Sequence, residues 1–375
     1  MFLSFNWQSN LLWYIVLFAV CFDIRYFFNF YLEDEPILSL IKAILMFLGE
    51  MTCGILELIV QYRSRRKRQS KKKNDDIINI KPVITLIKVQ KIQKFKFADL
   101  SLLFLASTLD LVSFFIINIK TKYDSSLMSI LRMSQTIFIG LSMLLLLRTS
   151  FYYHHILAIS LIVIGIIVLL IFNLKGQWLN ALLYLLSYII NSFRYVIIYL
   201  LMHKYFYSPY LLLFLVGSIG LYAILIFLSV SSFFPTFDYT FQAIGNFTIA
   251  LFEKSSLYFF VYFGIYLMSF LFNLFNTLTN QTLSPLHVGI GDTLSGVIIF
   301  YILRKEGIVK LSVTGIMNVI VFIGCLIYGE IIIIDCFGMT KGTINAIVKR
   351  GEEDTEEAET DAEQLIPSPE ESSKI

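Results

Sequence analysis

The sequence predicts an all-α membrane protein of ten transmembrane helices, arranged as two inverted five-helix repeats. Three observations carry this. First, 57% of the 375 residues are apolar and only 15% are charged, with a mean hydropathy of +0.75. A soluble domain is usually about 45–50% apolar and about 25% charged, so a soluble enzyme, a nucleic-acid binder and a disordered chain are excluded. Second, the apolar residues are gathered into ten stretches, each near the roughly 20 residues that a helix needs to cross a bilayer. Third, the pattern of stretches, breaks and polar punctuation repeats at a spacing of 159 residues.

In chain order the expected spans are 10–30, 37–61, 98–119, 125–147, 153–173, 177–202, 208–232, 256–280, 283–303 and 311–334. They are continuous apolar runs, not the ten-residue alternating segments of a β-barrel. In lipid a continuous run must be helical to pair its own backbone. The first span carries Asp23 and Arg25 and follows no Lys/Arg-rich leader, so it reads as a retained signal anchor. Most connections are under ten residues, which makes neighbouring helices antiparallel. Three segments stand outside the spans: a basic loop over 62–97, a connection over 233–255 and an acidic tail over 335–375, expected to be disordered. Domain organisation follows as a first half over 1–173, a second half over 174–334 and the tail.

Shifting the chain by 159 residues brings Ser125 onto Ser284, Leu131 onto Ile290 and Gly165 onto Gly324. Five spans separate the copies, so the second copy is inverted, a design that puts a substrate site near the midplane between halves. Orientation follows from the Lys/Arg bias. Residues 62–97 hold 13 Lys and Arg, including Arg63, Arg65, Arg66, Lys67, Arg68 and Lys71–Lys73, which places that loop and both termini in the cytosol. The cytosolic side then has 19 basic residues against 7 on the other. The 62–73 cluster also suits anionic lipid. Asn246-Phe247-Thr248 is a glycosylation acceptor pattern on the non-cytosolic side; the same pattern at Asn280 falls on the cytosolic side and is discounted.

Further elements carry a resemblance. The second span reads Met46-Phe47-Leu48-Gly49-Glu50-Met51-Thr52-Cys53. The third and fourth hold Leu109-Asp110 and Ser125-Ser126-Leu127-Met128-Ser129-Ile130-Leu131-Arg132. Ser208-Pro209 precedes Gly217 and Gly220. The eighth and ninth hold Phe272-Asn273, Thr279, Leu283-Ser284 and Asp292-Thr293. Over roughly 37–334 the chain resembles the drug/metabolite transporter superfamily and, within it, the F subfamily of the solute carrier 35 family, which is nucleotide-sugar-transporter-like. The resemblance implies a ten-helix secondary transporter, with a nucleotide sugar as one family-level substrate. Departures are plain. Ser129 and Met133 replace the family's Gln and Gly around its Leu-Arg, Val216 replaces a Glu, His287 replaces an Arg, and 196–202 lacks an acidic pair.

A charge at the bilayer centre costs at least about 2.5–3.5 kcal/mol, so those that persist face a cavity or a partner. Glu50 lies mid-span beside Gly49, where helices can approach closely. Asp110 and Asp292 fall near the middles of the third and ninth spans. Arg132 lies two turns into the fourth, where a guanidinium can fork onto a phosphate or carboxylate. Arg132 and Asp292 occupy repeat-equivalent helices at matching depth, so either Arg132 clamps an anionic group with Asp292 as its resting counter-ion, or the two form a permanent structural pair. Asn273 and Asn276 complete the candidates, with interhelical hydrogen bonding as their alternative role. Glu57 and Arg194 read as charges near span ends, Arg194 snorkelling to the cytosolic face. His287 is a weak candidate pH sensor.

The four cysteines and four histidines show no metal-binding spacing, so no metal or other cofactor is expected. No phosphate-cradling glycine loop followed by Lys is present, which argues against ATP hydrolysis. In the tail, Asp361 with Leu365 and Ile366 fits an acidic dileucine sorting pattern. It suits a clathrin adaptor and points to endosomal or lysosomal membrane, with Golgi second. The function expected is secondary-active transport of a small polar or anionic metabolite by alternating access, not enzymatic catalysis. The competing expectation is a transport-inactive membrane scaffold on the same fold. A homodimer is compatible with either.

Overall fold

The computed structural model describes residues 3–5, 9–30, 36–75, 97–118, 125–148, 153–173, 176, 178–233, 240–303, 308–328 and 330–334. Apart from a pair of three-residue strands, the regular structure is helical. The helices are α1 (Ser9–Phe30), α2 (Pro36–Asp75), α3 (Phe97–Asn118), α4 (Ser125–Met133), α5 (Gln135–Leu147), α6 (Tyr153–Asn173), α7 (Trp178–Lys204), α8 (Pro209–Ser231), α9 (Phe241–Lys254), α10 (Leu257–Thr282), α11 (Pro285–Leu303) and α12 (Ile308–Tyr328). Strands β1 (Leu3–Phe5) and β2 (Ile332–Ile334) pair antiparallel, so the start of the chain and the segment after α12 lie side by side.

Six helices among the described residues are long and apolar enough, by length and composition, to cross a membrane: Ile37–Ser64, Ile130–Leu147, Tyr153–Phe172, Trp178–Lys204, Pro209–Ser231 and Leu257–Thr282. The shorter Leu100–Ile116 and Gly315–Tyr328 are apolar too. This is consistent with a multi-pass, all-α membrane protein. The distribution of polarity agrees. Ile171 is 73% exposed and Leu145 65%, whereas Glu50 and Asp292 are 0% exposed. A largely apolar rim around buried charges suits lipid as the solvent and would aggregate in water.

Local chemistry explains the helix ends. Ser208 caps α8, its Oγ accepting from Leu211 N at 3.1 Å. Pro209 takes the first helical position, where its missing N–H costs nothing. Ser134 breaks the fourth stretch into α4 and α5: its N–H and Oγ both turn back onto Leu131 O, at 3.0 and 2.5 Å.

Three boundaries differ from expectation. The basic segment begins as helix: α2 runs unbroken to Asp75, since Lys, Arg and Gln are good helix formers. At about 1.5 Å per residue its 40 residues span about 60 Å, twice a bilayer's apolar thickness. The 233–255 connection contains α9, an exposed helix capped by Thr240. The last stretch stops being helical at Tyr328 and continues into β2.

Helices pack as α2 with α8, α1 with α10, α6 with α12, α3 with α7, and α4 and α5 with α11. Two crossings depend on glycine. A Cβ on Gly217 would lie 2.9 Å from the backbone at Phe47 O and Met51 N, so α8 rests directly on α2 beside Glu50. Gly165 on α6 faces Met317 and Val321 of α12, while Gly324 on α12 faces Ala158 and Ile162 of α6.

Candidate functional site

The last turn of α4 and the middle of α11 bring Arg132 and Asp292 together. Arg132 Nε donates to Asp292 Oδ1 at 3.1 Å and Nη2 donates to the same oxygen. The guanidinium lies over the Phe22 ring of α1, 3.2 Å from its centroid. Beside this pair Thr136 and Thr293 share a hydrogen bond of 3.1 Å, and Cys325 Sγ lies 3.4 Å from Thr293 Oγ1.

A second group forms between α2, α3 and α7. Arg194 Nη2 donates to Glu50 Oε1 at 3.1 Å and lies 2.9 Å from Asp110 Oδ2. One cation thus holds two carboxylates. All three residues are buried.

Arg25 on α1 links the groups. Its guanidinium stacks 4.7 Å from the Phe272 centroid and 5.3 Å from Phe22, and it interacts electrostatically with Arg132, Asp110 and Glu50. Asp23, two residues earlier, accepts from Ser295 Oγ at 2.6 Å. Tyr195, adjacent to Arg194, interacts with Asn276 and Asp292. Its carbonyl accepts from Asn280 Nδ2 at 2.9 Å, and its hydroxyl from Asn191 Nδ2 at 3.3 Å.

Sequence reasoning named Glu50, Asp110, Arg132, Asn273, Asn276 and Asp292 as candidates for substrate binding or coupling; each is buried, with Arg132 paired to Asp292 while Glu50 and Asp110 are held by Arg194. It missed Arg194, Arg25, Asp23 and Tyr195. The snorkelling expected of Arg194 is overturned, because Arg194 is buried on two acids. α7 extends to Lys204, ten residues or about 15 Å beyond it, too far for the side chain to reach the helix end. The available signal was simple charge matching: Glu50 and Asp110 needed a cation, and Arg194 was unassigned. Glu57 behaves as a structural charge, accepting from Ser208 Oγ at 2.6 Å and Gln61 Nε2 at 2.8 Å at the start of α8. Asn246 is exposed on helix α9. Asn280 is buried, out of reach of glycosylation. Asp361, Leu365 and Ile366 lie outside the described residues.

The network is incompletely satisfied. Glu50 Oε2, Asp292 Oδ2, Arg194 Nε, Gln135 Nε2, Asn273 Nδ2 and Asn280 Oδ1 are buried without a hydrogen-bond partner among the described residues. Leaving such an atom unpaired costs about 1–3 kcal/mol. No family model and no curated protein matches the chain.

Proposed function

We propose that the protein is a secondary-active transporter that moves a small polar or anionic metabolite by alternating access through this network. The carrying observation is the set of unpaired buried polar atoms on α2, α5, α7, α10 and α11, surrounding three arginines and their acids. Buried ion pairs are a poor way to stabilise a bundle, because apolar residues of equal volume often do as well or better. Their concentration in one interior favours a binding role. In membranes such charges mark substrate and ion pathways. The resemblance to the solute carrier 35 family agrees in kind, and a nucleotide sugar is the family-level candidate.

The proposal includes ten spans in two inverted halves. The helix packing supports it. A shift of 159 turns the Gly165 contacts with Met317 and Val321 into the Gly324 contacts with Ala158 and Ile162. The α1–α10 contact likewise mirrors α3–α7. Pairing of β1 with β2 supports an even number of crossings, and the basic end of α2 supports cytosolic termini. The tail pattern at Asp361–Ile366 supports endosomal or lysosomal residence, with Golgi as the alternative.

The test is uptake from a metabolite mixture by proteoliposomes. Arg132→Gln keeps hydrogen-bonding capacity and removes the charge. We expect uptake to fall at least about tenfold, equivalent to about 1.4 kcal/mol, with protein level and thermal midpoint unchanged. Normal uptake by this variant refutes the binding role. The competing scaffold reading draws on the pairing of Arg132 with Asp292; it expects no uptake by the wild type and a drop in stability in the variant.

A further inference from the structure

The chain has four histidines. His203 sits apart, near the end of α7, stacked on Tyr199. Of the other three, the adjacent His154 and His155 meet one carboxylate from a distant point in the sequence. His154 and His155 open α6, His287 lies in the first turn of α11, and Glu330 lies in the turn that follows α12. His154 Nε2 is 3.3 Å from Glu330 Oε1. Donor atoms of His154, His155 and Glu330 all lie within 4.8 Å of one another. The two adjacent imidazoles have centroids 4.0 Å apart, and His155 packs edge-on to Tyr328 at 5.0 Å. His287 interacts electrostatically with Glu330. Its Nδ1 is 2.8 Å from Ser284 Oγ, which orients the ring.

The backbone at Glu330 adds an independent sign. Its φ is 56°, in the left-handed region. A helix often ends on such a residue, but usually on glycine. Here the Glu330 and Ile331 amides turn back onto Ile327 and Leu326 at 3.1 and 3.0 Å. Glycine would take this conformation without cost, and a charged residue there points to a use for its side chain.

We propose that His154, His155 and Glu330 form a three-ligand binding site for a divalent transition cation of the zinc class, with the fourth position open to solvent. Two imidazole nitrogens and one carboxylate oxygen are borderline ligands. They favour Zn2+ over Mg2+ or Ca2+, which prefer oxygen shells. Tetrahedral metal–ligand bonds of about 2.0–2.1 Å place donors about 3.3 Å from each other. Side-chain movements that shorten the separations by up to about 1.5 Å therefore close the shell. A bound cation would clamp the start of α6 to the segment between α12 and β2, at the end of the α6–α12 crossing. The sequence does not reveal this site because the histidine pair and Glu330 lie 175 residues apart. The proposal is independent of the transport reading.

The test uses full-length protein in detergent, free of any affinity tag, stripped with chelator and dialysed. Zn2+ is titrated by calorimetry and Co2+ by visible absorption, with Mg2+ as the hard-cation control. We expect one Zn2+ per chain, a Co2+ spectrum with imidazole-nitrogen character and no Mg2+ binding. His155→Ala and Glu330→Gln should each weaken Zn2+ binding at least about tenfold, while His203→Ala leaves it unchanged. Glu330→Gln preserves shape, and a metal-free thermal midpoint confirms folding. Absence of stoichiometric Zn2+ binding by the wild type overturns the site, without recourse to any variant. Binding that survives both substitutions, or that His203→Ala removes, overturns it equally.

Discussion

Arg194 satisfies two acids with one guanidinium, and that arithmetic decides what its removal does. Arg194→Ala leaves Glu50 and Asp110 facing each other in the interior without their shared cation. Stranding a buried charge costs about 3–5 kcal/mol, so we expect the detergent-solubilised variant to lose a large part of its thermal stability. Adding Glu50→Gln removes one of the stranded charges and should recover a measurable share. A double variant no more stable than Arg194→Ala would mean that the three do not act as a unit. This chemistry was half legible in the sequence. Arg132 and Asp292 announced each other because they sit at nearly equal depth in repeat-equivalent stretches. Arg194 did not, because its distance to the membrane face was judged from a stretch ending at 202, and two turns can place an arginine either at a surface or against acids.

Among the elements, the helices were the most legible part of the chain, since continuous apolar runs in lipid leave the backbone no alternative. What was missed has a common cause: apolarity reports the slab, not the helix. The second half of α2 and the whole of α9 are helical where the sequence is polar or mixed, and the break at Ser134 falls inside an unbroken apolar run. Glycine positions carry more than composition suggests. Gly217 lets α8 lie on the α2 backbone next to Glu50, so Gly217→Ala should push the helices apart at the site. Overpacking of this kind costs about 1–3 kcal/mol. Gly245, on α9, has open space around its Cβ position. Gly245→Ala should instead be neutral or stabilising by up to about 1 kcal/mol, as helix propensity dictates. Thermal midpoints of the two variants check this, and an equal response from both would remove the packing argument.

For the whole molecule, three independent features bear on how the chain sits in a membrane. The β1–β2 ladder brings residues 3–5 against 332–334, so whatever face one end occupies, the other shares. Helix α2 carries its apolar half into the bundle and then continues through Arg63 and Arg65–Arg68 for several turns. Such a run resists translocation, because each basic residue would have to cross the apolar layer. The proposed adaptor would read the tail pattern at Asp361, Leu365 and Ile366 only from the cytosol. Together they support the proposal that the 62–97 segment, the N-terminus and the tail lie on one side. We expect protease added to sealed, right-side-in endomembrane vesicles to remove both the tail and an epitope placed near Lys81, while an epitope at Gly245 on α9 stays protected until detergent is added. A protected tail with an accessible 62–97 segment would imply an odd number of crossings and break the inverted-repeat proposal. It would also remove the adaptor reading, since the dileucine pattern would then face the lumen. Protection of the tail and the Lys81 epitope with an accessible Gly245 epitope would reverse the orientation while keeping the crossing number even, and so would count against the charge argument alone.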